Sequence, residues 1–232
     1  MNSDATTAAT RAPVDLEGAR RAVREGAAVV LPSPAPLTHV VTATEPETVN
    51  RSKGRAADQP VALWAHHPET LQAVTAHTPL DTAGTALAGR LLAEEHLTLL
   101  LPLNLAAGLP TWLAPASKDG WVLLFGARWQ PLAPLLDDHP VLYVSSANHT
   151  GHPPAATAAE ALTMFSPDVP VLRLPHSVDD PLGDSSRRAT TTVALAPDGH
   201  LTLHRHGAQN QPYPHPDEYL ASLHARYAAS PV

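Results

Sequence analysis

The chain has 232 residues and a formal net charge of −7 at pH 7; 44% of its residues are hydrophobic, but only 4% are aromatic. A chain of this length can bury one sizeable core, which must here be aliphatic. The absence of cysteine excludes disulfides and zinc–thiolate sites. The acidic balance argues against a broad nucleic-acid interface.

Helices and strands are predicted from hydrophobic spacing, capping residues and turn residues. In chain order these elements are a helix at Asp15–Gly26, a strand at Ala27–Leu31, a helix at Glu45–Ser52, a strand at Val61–Trp64, helices at Pro68–Ala76 and Thr85–Glu94, strands at Leu97–Leu103, Val122–Leu124 and Val141–Val144, a helix at Thr157–Phe165, and a hairpin of Thr191–Leu195 with His200–His204. The prolines of Pro32–Pro36 exclude a regular element there.

The domain organisation predicted from this pattern is simple. Residues 13–209 form one domain, preceded by a small, polar and disordered N-terminal tail at 1–12. Residues 210–232 are expected to form a C-terminal tail with one amphipathic set at Tyr219–Tyr227. Met1–Pro13 lacks the features of a secretory signal, and no apolar stretch is long enough for a transmembrane helix. We therefore expect a cytoplasmic protein without a membrane partner.

Lys53-Gly54-Arg55 is the most informative stretch of the chain. Lysine is rare here, and this one lies two residues before an arginine at the end of a predicted helix. The hydroxyl-rich turn Ser145–Gly151 directly follows the predicted strand Val141–Val144. An ammonium, a planar guanidinium and small polar groups near strand ends are typical of a phosphate or nucleotide pocket. The alternative is a solvated helix end and an ordinary turn.

No metal site is predicted from the sequence. The histidine pairs lack a third ligand at a fixed spacing, which favours structural or solvated roles. Asp179, Asp180 and Asp184 carry oxygen ligands that suit magnesium, but the sequence favours an acidic surface loop for them. Walker-type and Rossmann glycine loops are absent, so the spacing of residues alone does not establish nucleotide binding.

Four segments carry recognisable motifs in order. They are Val49–Leu63 with its Lys-x-Arg and following proline-led strand, Val144–Pro154 with Ser-x-Asn and Thr-Gly, Ala189–Leu195 with a Thr-Thr-Val strand, and Leu203–Ala208 with Arg-x-Gly-Ala. Together they resemble the YrdC-like family of threonylcarbamoyl-adenylate synthases, over residues 14–208. The resemblance implies an α+β fold, a YrdC-like domain built on a large twisted mixed β-sheet with flanking helices.

The resemblance also implies a function. Family members are nucleotidyltransferases that condense threonine, bicarbonate and ATP to threonylcarbamoyl-AMP, with Mg²⁺, for the threonylcarbamoyladenosine modification of tRNA. By motif, the catalytic residues would be Lys53, Arg55, Ser146 and Asn148. The same comparison gives the nucleotide-binding residues as Lys53, Arg55, Thr98, Ser146, Asn148, Thr150, Thr191 and Arg205. It gives the substrate-binding residues as Ser33, Trp64 and Ser145. A partner enzyme for carbamoyl transfer is expected.

The chain departs from the family pattern mainly on the substrate side. The family's Pro-Thr-Glu/Asp-Thr-x-Tyr-Gly-Leu segment is replaced here by Pro32–Thr38, which keeps only the proline and the hydroxyl of Ser33. Trp64 stands where a histidine is expected, although His66 follows closely, and the arginine expected after the strand at 122–124 is absent or displaced to Arg128. We therefore expect ATP to bind more normally than threonine.

Two hypotheses remain open at this point. The first is an ATP-dependent enzyme that forms a carbamoyl-adenylate, either threonylcarbamoyl-AMP or the product of a closely related reaction. The alternative is a catalytically quiet YrdC-like module that binds nucleotide, double-stranded RNA or tRNA and acts through a partner. Because the chain is acidic and has no dense basic stripe, its binding to duplex RNA is expected to be weak and salt-sensitive.

Overall fold

The structure, a computed structural model, describes residues 11–174 and 187–228. The expected tail residues 1–10 and the acidic residues Asp179, Asp180 and Asp184 therefore lie outside the described part. The helices of the described part are α1 (Leu16–Arg24), α2 (Pro46–Ser52), α3 (Pro68–Thr75), α4 (Thr82–Ala93), α5 (Ala133–Leu136), α6 (Ala158–Met164) and α7 (Pro216–Ala228). None of them is both long and apolar enough to cross a membrane.

A single mixed sheet organises the described residues. Its nine strands are β1 (Val29–Leu31), β2 (Val40–Ala43), β3 (Ala62–Trp64), β4 (Thr98–Pro102), β5 (Ser117–Lys118), β6 (Trp121–Phe125), β7 (Tyr143–Ser146), β8 (Thr192–Leu195) and β9 (Leu201–Arg205). The order across the sheet is β1-β2-β7-β3-β6-β4-β8-β9, and β5 pairs with β6. The β3–β6 and β4–β8 pairs are parallel, and the remaining pairs are antiparallel. The α+β prediction is confirmed.

Most predicted elements form within a few residues of their expected bounds, because their ends carry local signals. Asp15 caps α1 by accepting the backbone N–H of Gly18 at 2.8 Å, and Thr157 caps α6 through the N–H of Glu160 at 3.1 Å. Strands β2 and β5 and helix α5 were not predicted from the sequence. The four residues of β2 are all buried, and so short an apolar run gives no usable periodicity.

The two faces of the sheet bury different side chains, as strand alternation requires. On one face, Val41, Leu63 and Leu124 pack in a large core with residues of α3, α4, α6 and α7. On the other face, Val40, Trp64 and further apolar side chains pack in a smaller core with α1 and α5. Some side chains of this smaller core also line a cavity, which the next subsection describes.

The C-terminal segment 210–232, expected as a tail, contains a packed helix. Tyr219 and Leu223 of α7 are buried in the larger core. The carboxylate of Glu95 accepts a hydrogen bond from the Tyr227 hydroxyl at 2.6 Å and forms an ion pair with Arg226. Helix α7 is therefore part of the folded unit.

Candidate functional site

A cavity of about 320 Å³ opens on the face of the sheet that carries the smaller core. Its apolar lining includes Val40, Ala62, Leu123, Phe125 and Val144, and its polar lining includes Thr38, Lys53, Arg55, Gln59, Thr98, Ser145, Ser146, Asn148, Thr150, Thr190 and Arg205. Eight of the eleven predicted site residues therefore meet in one place, although they come from segments far apart in the chain.

The end of helix α2 explains why the Lys-Gly-Arg spacing matters. Lys53 is the C-cap residue, and Gly54 follows with a φ of +64°, which is the left-handed region that favours glycine. The backbone N–H of Gly54 donates to Arg51 at 3.0 Å, and that of Arg55 donates to the Asn50 carbonyl at 3.1 Å. This is a Schellman end. It places Lys53 and Arg55, two residues apart, at the negative end of the helix dipole, where cations are favoured.

Lys53 connects helix α2 to the turn after β7. Its ammonium donates to the backbone oxygen of Ser146 and to Asn148 Oδ1, the latter at 2.8 Å. The Ser146 hydroxyl donates to the same Asn148 oxygen at 2.6 Å. The Asn148 amide nitrogen in turn donates to the carbonyl oxygens of His149 and His152. These bonds fix the turn and hold the three side chains against one another at the cavity wall.

The opposite wall is formed by Arg205, the last residue of β9. Its guanidinium donates to the backbone oxygen of Thr190 at 3.1 Å. The Thr190 hydroxyl lies 2.6 Å from that of Thr98 at the start of β4. The parallel pairing of β4 with β8 brings these two threonines side by side, because Thr98 is in register with Thr192.

The electrostatics of the cavity favour an anion. Three cations, Lys53, Arg55 and Arg205, line it, and no carboxylate does so within the described residues. Burial lowers the pKa of each, and for Lys53, where repulsion from Arg55 adds to burial, the pKa falls to about 7. Nη2 of Arg55 is buried without a hydrogen-bond partner in the described part of the chain. Desolvated cations of this kind are stabilised by a ligand that brings negative oxygens.

Three of the predicted site residues do not line this cavity. The indole N–H of Trp64 donates to the backbone oxygen of Ala127 at 2.8 Å, within the smaller core. Ser33 is 4% exposed, and its carbonyl accepts a hydrogen bond from Arg187. Thr191 is fully buried and bonds Asn210, whereas its neighbour Thr190 lines the cavity. The family motif predicts that Thr191 contacts the nucleotide, whereas the threonine that lines the cavity is Thr190.

The substitutes suggested for the missing substrate-side residues also lie elsewhere. Both ring nitrogens of His66 contact backbone carbonyl oxygens, those of Trp64, Leu136 and His139. Arg128 donates to the Ala65 carbonyl at 3.0 Å, and neither side chain lines the cavity. Arg187 is a cation that sequence reasoning did not assign to this region, and it reaches the altered segment through the carbonyls of Ser33 and Leu37.

The pH dependence of anion binding provides a direct test of Lys53. Its pKa of about 7 lies below its ordinary value of 10.5, so the folded protein holds fewer protons than the unfolded chain between these two values. The stability of the free protein should therefore rise with pH across that window. A bound polyanion favours the ammonium form, so binding should take up a proton and weaken as pH rises above about 7, by at most about tenfold per pH unit.

Calorimetry with ATP at about pH 8, in buffers of different ionisation enthalpy, measures this uptake. The second ionisation of a phosphate monoester lies at about pH 6, so the terminal phosphate of ATP is ionised at that pH. Lys118→Ala, which removes an exposed lysine outside the cavity, should keep the uptake. Lys53→Arg should lose it. Equal proton uptake in the Lys53→Arg variant and in the wild type would contradict the assignment.

Comparison with known proteins gives a consistent result. The model of the family described as Sua5/YciO/YrdC, telomere recombination, matches residues 21–207. No curated protein sequence matches the chain. Among solved structures, Sua5 from P. abyssi in complex with L-threonine is similar, with a TM-score of 0.61, 20% identity and coverage of 83% of this chain and 54% of that one.

Two further structures share the fold. YciO from E. coli has a TM-score of 0.59 at 14% identity, with 85% of this chain and 92% of that chain covered. Full-length HypF in the phosphate- and nucleotide-bound form has a TM-score of 0.61 at 17% identity, with coverages of 86% and 30%. The chain thus spans about half of the Sua5 structure and nearly all of YciO.

Proposed function

Because the chain belongs to the Sua5/YciO/YrdC family, we propose that it binds ATP in this cavity and forms a carbamoyl-adenylate. One observation carries the proposal. Lys53, Arg55 and Arg205 converge on a cavity whose described lining has no carboxylate, and the hydroxyl and amide groups between them suit phosphate oxygens. The nucleotide-bound form of HypF and the threonine complex of Sua5 belong to proteins of the same fold.

The proposed reaction joins a carbamate to AMP. A carbamate oxygen attacks the α-phosphorus of ATP, the bond from that phosphorus to the bridging oxygen breaks, and pyrophosphate leaves. Such a step depends on positioning and on neutralising phosphate charge, not on a covalent intermediate. Lys53 and Arg55 would neutralise the departing pyrophosphate. Ser146, Asn148 and Thr150 would orient the carbamate or nucleotide oxygens, and Arg205 would hold the opposite side of the nucleotide.

The described lining does not fit a protein-bound magnesium ion. Mg²⁺ prefers carboxylate and water oxygens in octahedral geometry, and the lining provides only neutral oxygens alongside three cations. The described residues also contain no cluster of three potential metal ligands. Mg²⁺ would enter with the ATP phosphates, and we assign no step to it.

The amino acid is the open part of the proposal. The segment Pro32–Thr38 contributes only Thr38 to the described cavity lining. A polar site that has lost its partner groups discriminates against its former substrate, because buried polar atoms are left unpaired. We therefore expect turnover with threonine to be slow or absent compared with an unaltered family member, while ATP binding persists. Transfer of the carbamoyl group to an acceptor would require a partner enzyme.

The experiment separates nucleotide binding from catalysis. The protein is incubated with ATP, Mg²⁺ and bicarbonate, with and without threonine, and pyrophosphate and the AMP adduct are followed by phosphate assay and mass spectrometry. Calorimetry then titrates threonine into the ATP complex. A threonine affinity typical of an ordinary metabolic enzyme, roughly micromolar to millimolar, would contradict the interpretation that the threonine pocket is altered. ATP binding without any adduct would favour the catalytically quiet module. Failure to bind ATP would remove the proposal.

A further inference from the structure

We propose that Asn50 is a positioning residue for the cavity cations, which presents the Arg55 guanidinium to the bound anion. The inference rests on the proposed nucleotide binding. Asn50 lies in helix α2 and is fully buried, and it does not line the cavity itself. Every polar atom of this residue beyond its own N–H is bonded to the segment that follows the helix, which carries both cations.

The hydrogen bonds of Asn50 cover the loop from 53 to 59. Its backbone oxygen accepts the N–H groups of Lys53 and Arg55, both at 3.1 Å. Its amide nitrogen donates to the carbonyls of Ala57 and Gln59, both at 2.8 Å. Its side-chain oxygen accepts a hydrogen bond from Arg55 Nε. One buried carboxamide therefore closes the loop and holds an arginine side chain at the same time.

Helix stability does not explain an asparagine at this position. Asparagine has a lower helix propensity than the long or apolar residues that usually fill a buried helix position. Burying a carboxamide also costs free energy unless its groups are paired. The neighbouring residue Val49 is buried in the larger core and is apolar, which is the kind of side chain that core packing favours. The free-energy cost of burying the Asn50 carboxamide is offset by hydrogen bonds that it makes only to the loop. Asn50 therefore determines the geometry of the loop.

The bond to Nε determines what the rest of the guanidinium can do. A guanidinium is planar, so fixing Nε orients the two terminal nitrogens as a unit. Arg55 lines the cavity, and its Nη2 has no hydrogen-bond partner among the described residues. The side chain is thus held in position before the anion binds, and binding does not have to supply the rotamer entropy of the arginine.

A double-mutant cycle tests this role against a purely structural one. We expect Asn50→Ala to weaken ATP binding about tenfold in the wild-type background. The reason is that the charge-assisted hydrogen bond from Arg55 to the phosphate is no longer held in its orientation. In an Arg55→Ala background the same substitution should have almost no effect on ATP affinity, because the group that Asn50 positions is already gone. Its effect on the thermal midpoint should remain in both backgrounds. A structural role alone would weaken ATP binding equally in both.

Two further variants keep the test decisive. Asn104→Ala removes an exposed asparagine outside the cavity that caps a short 3-10 turn by accepting the Ala106 N–H at 3.2 Å. It should lower the midpoint slightly through loss of this cap and leave ATP affinity unchanged. Asn50→Ser keeps a polar group and leaves space for a water at the carbonyls of Ala57 and Gln59, so it should fold if Asn50→Ala does not. It removes the acceptor for Arg55 Nε and should weaken ATP binding to a similar extent.

The outcomes separate this inference from the proposed function. If Arg55→Ala weakens ATP binding but both Asn50 variants bind like the wild type, the positioning role is wrong and the nucleotide site stands. If the wild-type protein does not bind ATP, the proposed function fails first. An equal loss of affinity on replacing Asn50 in the two backgrounds would reduce Asn50 to a structural residue.

Discussion

Replacing Lys53 or Arg55 by alanine is expected to weaken ATP binding by one to two orders of magnitude. Each substitution removes one partner of a charge-assisted contact to phosphate, which typically costs about 1.5–3 kcal/mol. The effect should be large because Lys53 is buried, Arg55 is partly buried, and no carboxylate in the described lining competes for them. Isothermal titration of ATP into each variant measures the change.

Matched controls exist within the chain. Lys118 is the only other lysine and is exposed on β5, and Arg51 is exposed on the same helix as the cation-bearing end. Neither lines the cavity, so Lys118→Ala and Arg51→Ala should bind ATP like the wild type. Unchanged affinity in both the Lys53 and Arg55 variants would exclude them from the nucleotide site. A similar loss in the controls would indicate non-specific attraction by net charge.

The part of the site that sequence could predict is the part encoded locally. Lys53, Gly54 and Arg55 are adjacent in the chain, and the glycine marks a helix end whose geometry is nearly independent of the rest of the fold. The Ser146 and Asn148 turn likewise follows its own strand. The convergence of these segments, by contrast, depends on β7 lying between β2 and β3 in the sheet. That order was not predicted from the sequence, and only the resemblance to a known family assigned these segments to one site.

The positions of the predicted site residues that lie outside the cavity also have physical causes. Thr190 and Thr191 are neighbours immediately before β8, and the alternation of side chains along the extended backbone decides which hydroxyl faces the cavity. Trp64 occupies a motif position, but its large side chain is buried in the smaller core with its N–H satisfied by a carbonyl. Asn50 gave no sequence signal, because an asparagine on a short helix is ordinary until its partners at 55, 57 and 59 are known.

Gly207 is the second position where we expect a large effect. A Cβ on this residue would lie 2.3 Å from the backbone nitrogen of Thr191 and 2.4 Å from the carbonyl carbon of Thr190. Both are main-chain atoms, so no side-chain rotation relieves the contact. Gly207→Ala should therefore destabilise the fold by about 3 kcal/mol or more. For a chain of this size that lowers the thermal midpoint by roughly 6–12 °C.

Gly207→Ala should also change the position of residues that line the cavity. The Gly207 N–H donates to Asn210 Oδ1 at 2.8 Å, and the next residue, Ala208, pairs with Ala189 at 2.9 Å. Displacing this contact moves Thr190 and Arg205, which form one cavity wall. ATP affinity of the folded Gly207→Ala protein should fall accordingly, which ties the glycine of the closing Arg-x-Gly-Ala motif to the position of its arginine.

Gly89 provides the matched control for this prediction. It lies inside α4, where a Cβ would make only ordinary contact with Leu71 at 3.6 Å. Gly89→Ala should stabilise the protein by about 0.5–1 kcal/mol, because alanine loses less backbone entropy in a helix than glycine. Thermal unfolding of the two variants should thus shift in opposite directions, with ATP affinity unchanged for Gly89→Ala. A Gly207→Ala protein as stable as the wild type would show that residues 189–191 and 207 do not pack as closely as described.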